Sequence, residues 1–349
     1  MRKIQQPQRE EQNASIPLSR RTALGVLGAG VLGIGTTTTA SARGRTDVVL
    51  DFENFGPENL AFDSDGNLYM TIGLSGEILR LDADDTTGTD LDPEEVTENI
   101  ASFDPHEGFV TGIVADDGCL FVAVSSFADN HGIWKVDINN DENDNDEPDL
   151  TQLASDMTLP NGMLFHPCDD GLLVSDSLGG SIWHVYENGA NGWDAEEWVD
   201  DENLNPNDEL DPDFQIGANG LATKDSNAVY VANTNFGRIV RVPVEDDGSA
   251  GEPETYVEED DRLIGADGIT FDRAGKLIVA VNGQNTVVRI PSPEAELTVL
   301  ADEDDGLDFP ADVSFGPAPQ GLFIANFAFR FDPDDPDEPD PSLMRINRA

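Results

Sequence analysis

Six times along the chain a short apolar strand recurs: LYMTI (68–72), LFVAV (120–124), LLVSD (172–176), VYVAN (229–233), LIVAV (277–281) and LFIAN (322–326). Each is preceded by a second strand-like segment, as in ENLAFD (58–63), NGMLFH (161–166) and DGITFD (267–272). Each is followed by a third, as in EILRLD (77–82), GIWKVD (132–137) and RIVRVP (238–243). Alternating apolar residues and turn pairs such as Asp65-Gly66 mark these as hairpins. A repeat of roughly fifty residues built only of strands cannot bury its own faces, so neighbouring copies must stack. Six such copies predict an all-β chain, a six-bladed β-propeller with four-stranded blades. Segments such as EEVTENIAS (94–102) and LTVLAD (297–302) supply fourth strands, but the last repeat ends the chain without one. TDVVLDF (46–52) has no partner of its own, and is expected to close the ring as the outer strand of blade six.

The first strand of each blade lines the central channel, so its starting residue faces one mouth. Aligned on their strands, those residues are Glu58, Thr111, Asn161, Asn219, Asp267 and Asp312. Five of the six carry carboxylate or carboxamide oxygens. Converging carboxylates repel one another unless a cation neutralises them. An oxygen-only set suits Ca2+, and the lack of histidine or cysteine disfavours zinc or iron there. Fewer protein oxygens than calcium's usual six to eight would leave room for water or substrate.

The motifs PENLAF, PNGMLF, GANGLA and GADGITFD, in that order over residues 46–349, resemble the senescence-marker-protein/gluconolactonase/strictosidine-synthase-like superfamily. Within it the pattern is most similar to diisopropyl fluorophosphatase, with lactonase and paraoxonase relatives. The resemblance implies a catalytic Ca2+ held by Glu58, Asn161, Asn219 and Asp267, with Asp267 as nucleophile or general base. It leaves Thr111, Asp312 and Ser314 as supporting positions around that set. Ser314 stands where hydrolases of the family often have a histidine, and Leu159 where sugar-lactone members have an arginine. Both departures point from gluconolactone towards a more apolar lactone or ester as the small-molecule substrate. The alternative is a non-catalytic binding module whose calcium is structural, since one fold hosts both roles.

The chain carries 70 Asp and Glu against 19 Lys and Arg, a formal charge of −51. Such a field repels nucleic acid and anionic membranes, which excludes both as expected partners. Because the acids lie between well-formed apolar strands, the composition describes a folded core under a carboxylate surface, as suits a halophilic protein in multimolar salt. The inserts 137–149, 199–213 and 331–341 read as solvated acidic loops.

At the N-terminus, SRRTALGVLGAGVLGIGTTTTASARG (19–44) has paired arginines, a short apolar run and an A-x-A site ending at Ala42. It resembles a twin-arginine signal peptide, so residues 1–42 are expected to be removed and 43–349 exported as a folded propeller, without membrane insertion. A monomer is expected. Cys119 and Cys168 fall at related turn positions of neighbouring repeats, which leaves a disulfide open. His166 and His184 lie within repeats away from the mouth, His131 in a blade-two turn, and His106 in the loop entering blade two.

Overall fold

The repeated hairpins fold as their periodicity predicts. A computed structural model of the chain describes residues 46–106, 108–116, 118–138, 148–189, 192–207, 215–258, 260–317, 321–329 and 341–347. The signal-like segment 1–42 lies outside the described residues, as do 139–147, 208–214 and 330–340 of the acidic inserts.

Blade one comprises β2 (Pro57–Phe62), β3 (Leu68–Ile72), β4 (Glu77–Leu81) and β5 (Thr97–Ser102). Blade two has β6 (Phe109–Asp116), β7 (Cys119–Ser125), β8 (Gly132–Asp137) and β9 (Asp149–Ala154). Blade three has β10 (Pro160–Phe165), β11 (Leu172–Asp176), β12 (Ser181–Glu187) and β13 (Trp193–Asp200). Blade four has β14 (Ala218–Ala222), β15 (Ala228–Asn233), β16 (Arg238–Pro243) and β17 (Glu254–Val257). Blade five has β18 (Ala266–Phe271), β19 (Leu277–Val281), β20 (Thr286–Ile290) and β21 (Thr298–Ala301). In blade six, β22 (Pro310–Phe315), β23 (Leu322–Asn326) and β24 (Ser342–Ile346) are completed by β1 (Thr46–Asp51), which pairs antiparallel with β24. The first of the described strands therefore closes the ring, which ties the two ends of the propeller together.

Each blade buries its apolar faces against the next, giving six cores that run around the ring. One joins Leu60, Leu68 and Met70 of blade one to Phe323, Ala325 and Leu343 of blade six. Another joins Phe121 and Ile133 of blade two to Met163, Leu172 and Val174 of blade three. The second strands β3, β11, β15, β19 and β23 are buried along their whole length, because both of their faces meet a neighbouring blade. Burial on both faces is why these strands read as continuous apolar runs and not as strict alternation.

Towards the axis the first strands approach so closely that a side chain does not fit. A Cβ on Gly162 would lie 2.6 Å from the carbonyl oxygen of Asn219, and one on Gly112 or Gly220 would press still closer on Asn161 or Asp267. Backbone cannot yield as a flexible side chain can. Gly162→Ala is therefore expected to destabilise the fold by about 1–3 kcal/mol, measurable by urea unfolding.

Candidate metal centre

The backbone turns its side chains inward at the start of every first strand. Pairing with the second strand is interrupted there in all six blades: between Pro57 and Asn59, Val110 and Ile113, Pro160 and Met163, Ala218 and Leu221, Ala266 and Ile269, and Pro310 and Asp312. A bulge of this kind re-aims one side chain out of the pleat. The residues so placed are Glu58, Thr111, Asn161, Asn219 and Asp267, all at most 7% exposed.

Blade six corrects the sequence alignment by one residue. Pro310 pairs with Asn326 as Pro57 pairs with Ile72, so Ala311 occupies the position of Glu58 and Asp267. Asp312 instead stands where blade one has Asn59 and blades two to five have glycine. Its Oδ2 accepts a hydrogen bond from the Leu60 amide at 3.0 Å, stitching blade six to blade one on the inner face.

Three carboxylates thus share a buried space. Burial pushes Asp267 up to about 8, and the charge of Asp312 adds to the shift, against hydrogen bonds from Asn282 and Asn219. Glu58 is raised well above the usual carboxylate range, first by burial and then by Asp267, with Asn59 opposing. Asp312 rises to about 7 through burial, opposed by the amides of Leu60 and Val313. No cationic side chain contributes to any of these shifts.

The two asparagines add amide oxygens to the cluster. Asn161 Nδ2 donates to Ser177 Oγ at 3.2 Å, and Asn219 Nδ2 donates to Thr234 Oγ1 at 3.0 Å. Those hydroxyls spend their own protons on the next blade, Ser177 on the Ala218 carbonyl and Thr234 on the Ala266 carbonyl, each at 2.7 Å. The hydroxyl oxygens can therefore only accept from the amides, and each Asn Oδ1 must face the other way. Both Oδ1 atoms are buried without a hydrogen-bond partner. Leaving such an acceptor bare costs about 1–3 kcal/mol. In blade five the same position is Asn282, whose Nδ2 donates to Asp267 Oδ2 at 2.9 Å. Carboxylates without counter-charge beside bare amide oxygens fit a hard divalent cation such as Ca2+.

Ser177, Thr234 and Asn59, whose Nδ2 reaches Glu58 Oε2 at 3.2 Å, were not legible as site residues. The available signal is their place: Ser177, Thr234 and Asn282 each follow directly on the second strand. Asp176 and Asn233, one residue earlier, serve their own turns. Asp176 accepts from the amides of Thr158, Leu159 and Gly179, and Asn233 from Phe236. Thr111 donates to the Pro160 carbonyl at 2.9 Å, joining blades two and three. Ser314 lies two residues beyond Asp312 on β22, half-buried.

The loops at this mouth are conformationally loaded. Of the six described non-glycine residues with positive φ, His106, Phe127, Asn285, Phe309 and Ala328 all lie in loops at the end where the first strands begin. Strained backbone of this kind gathers at functional sites. Beside the ring stands an aromatic wall of Phe327 and Phe329 with Ala311, flanked by Phe309, Phe109 and Leu74. A Cβ on Gly73 would touch Glu58 Cβ at 3.2 Å and the Phe327 ring at 3.3 Å, so wall and ring are adjacent.

None of the four histidines occupies a ring position, and His106 lies in a loop at the same mouth. His131 Nε2 bonds the Met157 carbonyl at 2.8 Å, and exposed His106 sits 3.6 Å from Asp104. His166 and His184 occupy the opposite end of blade three. Cys119 and Cys168 are both free thiols in this structure, half-buried and exposed respectively.

Comparison with known proteins agrees with this architecture. Residues 203–325 match the model of the SMP-30/Gluconolactonase/LRE-like region, and residues 46–81 match that of the strictosidine synthase-like N-terminal region. No curated protein matches significantly. Among solved structures, the calcium-binding protein regucalcin from Agrobacterium tumefaciens is similar at 18% identity and TM-score 0.62, over 88% of this chain and 96% of that one. A gluconolactonase from Xanthomonas campestris is similar at 16% identity and TM-score 0.60, over 87% and 90%. A luciferin-regenerating enzyme follows at 13% and 0.56, over 86% and 94%. At such identities the likeness establishes the fold. The chain thus carries an SMP-30/gluconolactonase/LRE-like region, led by a strictosidine synthase-like segment, on a six-bladed β-propeller of the same kind.

Proposed function

We propose that the chain is an exported, halophilic, calcium-dependent hydrolase of lactones or related esters. The observation that carries this reading is the pair of buried, partnerless oxygens of Asn161 and Asn219 beside the uncompensated carboxylates of Glu58 and Asp267. Those four residues would hold Ca2+. When bound, the ion supplies electrophilic polarisation of a carbonyl or phosphoryl oxygen. Asp267 acts on the substrate as nucleophile or general base, with Asn282 holding its Oδ2. Glu58 is chiefly a ligand. The wall of Phe327 and Phe329 favours an apolar substrate portion. Calcium binding by regucalcin and the lactonase activity named for the Xanthomonas relative agree with this reading without deciding it. The twin-arginine-like leader and the charge of −51 support export into a salt-rich medium.

A second reading, a binding propeller with structural calcium, is favoured by the sequence's departures from the family pattern, Ser314 in place of a histidine and Leu159 in place of an arginine. Hydrolysis of a panel of lactones and aryl esters by the mature protein in high salt separates the two. Turnover lost on chelation and restored by Ca2+ is expected. Tight calcium binding with no turnover on any substrate selects the binding module, and no calcium binding at all removes the metal centre itself.

A further inference from the structure

A second cluster of metal-ligating side chains lies at the far end of blade three. His166 follows β10, five residues beyond Asn161 and ~16 Å along the strand from the ring. It meets Asp169 of the β10–β11 turn and His184 of β12. Asp169 divides its carboxylate between the two imidazoles, with Oδ2 3.1 Å from His166 Nδ1 and Oδ1 3.2 Å from His184 Nε2. The rings stack with centroids 4.5 Å apart.

The hydrogen bonds around His166 fix its tautomer. His166 Nε2 faces the Gly248 carbonyl at 3.0 Å, and Trp198 Nε1 donates to the same oxygen at 3.0 Å. Nε2 must therefore carry the hydrogen, and Nδ1 presents its lone pair. That lone pair looks at a carboxylate oxygen, one acceptor facing another, while the Cys168 amide reaches the same nitrogen at 3.2 Å. The His166 side chain is 1% exposed, an environment that disfavours an imidazolium. Gly171 leaves open the space beside the other pair, since a Cβ there would lie 2.5 Å from His184 Nε2 and 2.9 Å from Asp169 Oδ1.

We propose that His166, Asp169 and His184 form a binding site for a zinc-class divalent cation, separate from the central ring, that clamps blade three to blade four. Two imidazoles and one carboxylate are the donor set of four-coordinate Zn2+ with water in the fourth place, and a poor set for Ca2+. Ligands about 2.0–2.1 Å from a tetrahedral ion stand about 3.3 Å apart. Here each imidazole lies 3.1–3.2 Å from its own oxygen of Asp169, and one ligand atom from each of the three residues falls within 4.8 Å of the others. The bond from His166 Nε2 to Gly248 is the outer contact that fixes a ligating histidine's tautomer and orientation. Because Gly248 lies in the β16–β17 loop of blade four, that contact carries the clamp across the blade boundary.

Titration of the full chain with Co2+, in excess Ca2+ and Mg2+, followed by displacement with Zn2+, tests the site. Wild type is expected to give the strong visible absorption of four-coordinate cobalt, abolished by one equivalent of Zn2+. Affinity is expected to fall ~10–100-fold or more in Asp169→Asn and His184→Gln, and to stay unchanged in Asp267→Asn. Equal affinity in wild type and both site variants, or loss of the signal in Asp267→Asn, would overturn the proposal. X-ray absorption at the zinc edge of loaded wild type gives a readout that needs no variant: two imidazoles in the first shell support the site, and an all-oxygen shell sinks it.

Discussion

Asp267→Asn is expected to lower turnover by ~10²–10⁴-fold under saturating calcium, the range by which positioned acid–base groups act. The substitution keeps the volume and one oxygen but removes the charge. It also brings an amide to face the Asn282 Nδ2 that now donates to Asp267 Oδ2 at 2.9 Å, so the new side chain must offer its oxygen there and its NH2 to the ring. Calcium affinity is expected to fall as well, which is why the comparison belongs at saturation. Full kcat once calcium is restored would show that Asp267 is a ligand and nothing more. The metal-free variant is expected to be more stable than metal-free wild type near neutral pH. A buried carboxyl that must hold its proton far above its ordinary range, first through burial and then through the charge of Asp312, is gone.

Calcium removal is expected to introduce a pH dependence of stability that the calcium-loaded chain lacks. Without a cation, Asp267 holds its proton to about 8 and Asp312 to about 7 in the folded chain, while in the unfolded chain both lose it near the ordinary value of 3.8. Between those limits the unfolded state binds fewer protons, so stability falls as pH rises from about 4 to about 8 and levels off above. Ca2+ binds the ionised ring, so its stabilisation grows with pH over the same window. Thermal unfolding at intervals from pH 5 to 8 should give a stability that falls with pH in chelator and is nearly flat in saturating Ca2+. The measurement belongs in high salt, where repulsion among surface carboxylates is screened and that of the buried three is not. A metal-free protein whose Tm is flat across this range, or whose slope is the same in Asp267→Asn, would mean that the ring does not hold its protons.

The fold was legible because what encodes it is local. Alternation in VYVAN or LIVAV, a turn pair such as Asp65-Gly66 and the unpartnered TDVVLDF lie within a few residues of one another, and hydrophobic burial acts on them alike in every blade. The same repetition placed Glu58, Asn161, Asn219 and Asp267 at equivalent positions, since aligned strands share one end. What remained hidden depended on contacts between blades. Asp312 is displaced by one residue because the break in pairing of blade six falls after Pro310, and its carboxylate is held by Leu60, 252 residues away in the chain. Ser177 and Thr234 turn the asparagine oxygens inward only because their hydroxyls are claimed by carbonyls of the next blade. His166 and His184 are ordinary strand and turn residues in the sequence, and become a pair when Asp169 folds between them and Gly248 arrives from blade four. Periodicity is written into the chain, so the sequence determined the architecture and the address of the site. Hydrogen-bond direction, register breaks and close approach arise only when distant strands meet, so tertiary structure alone decided what the site can hold.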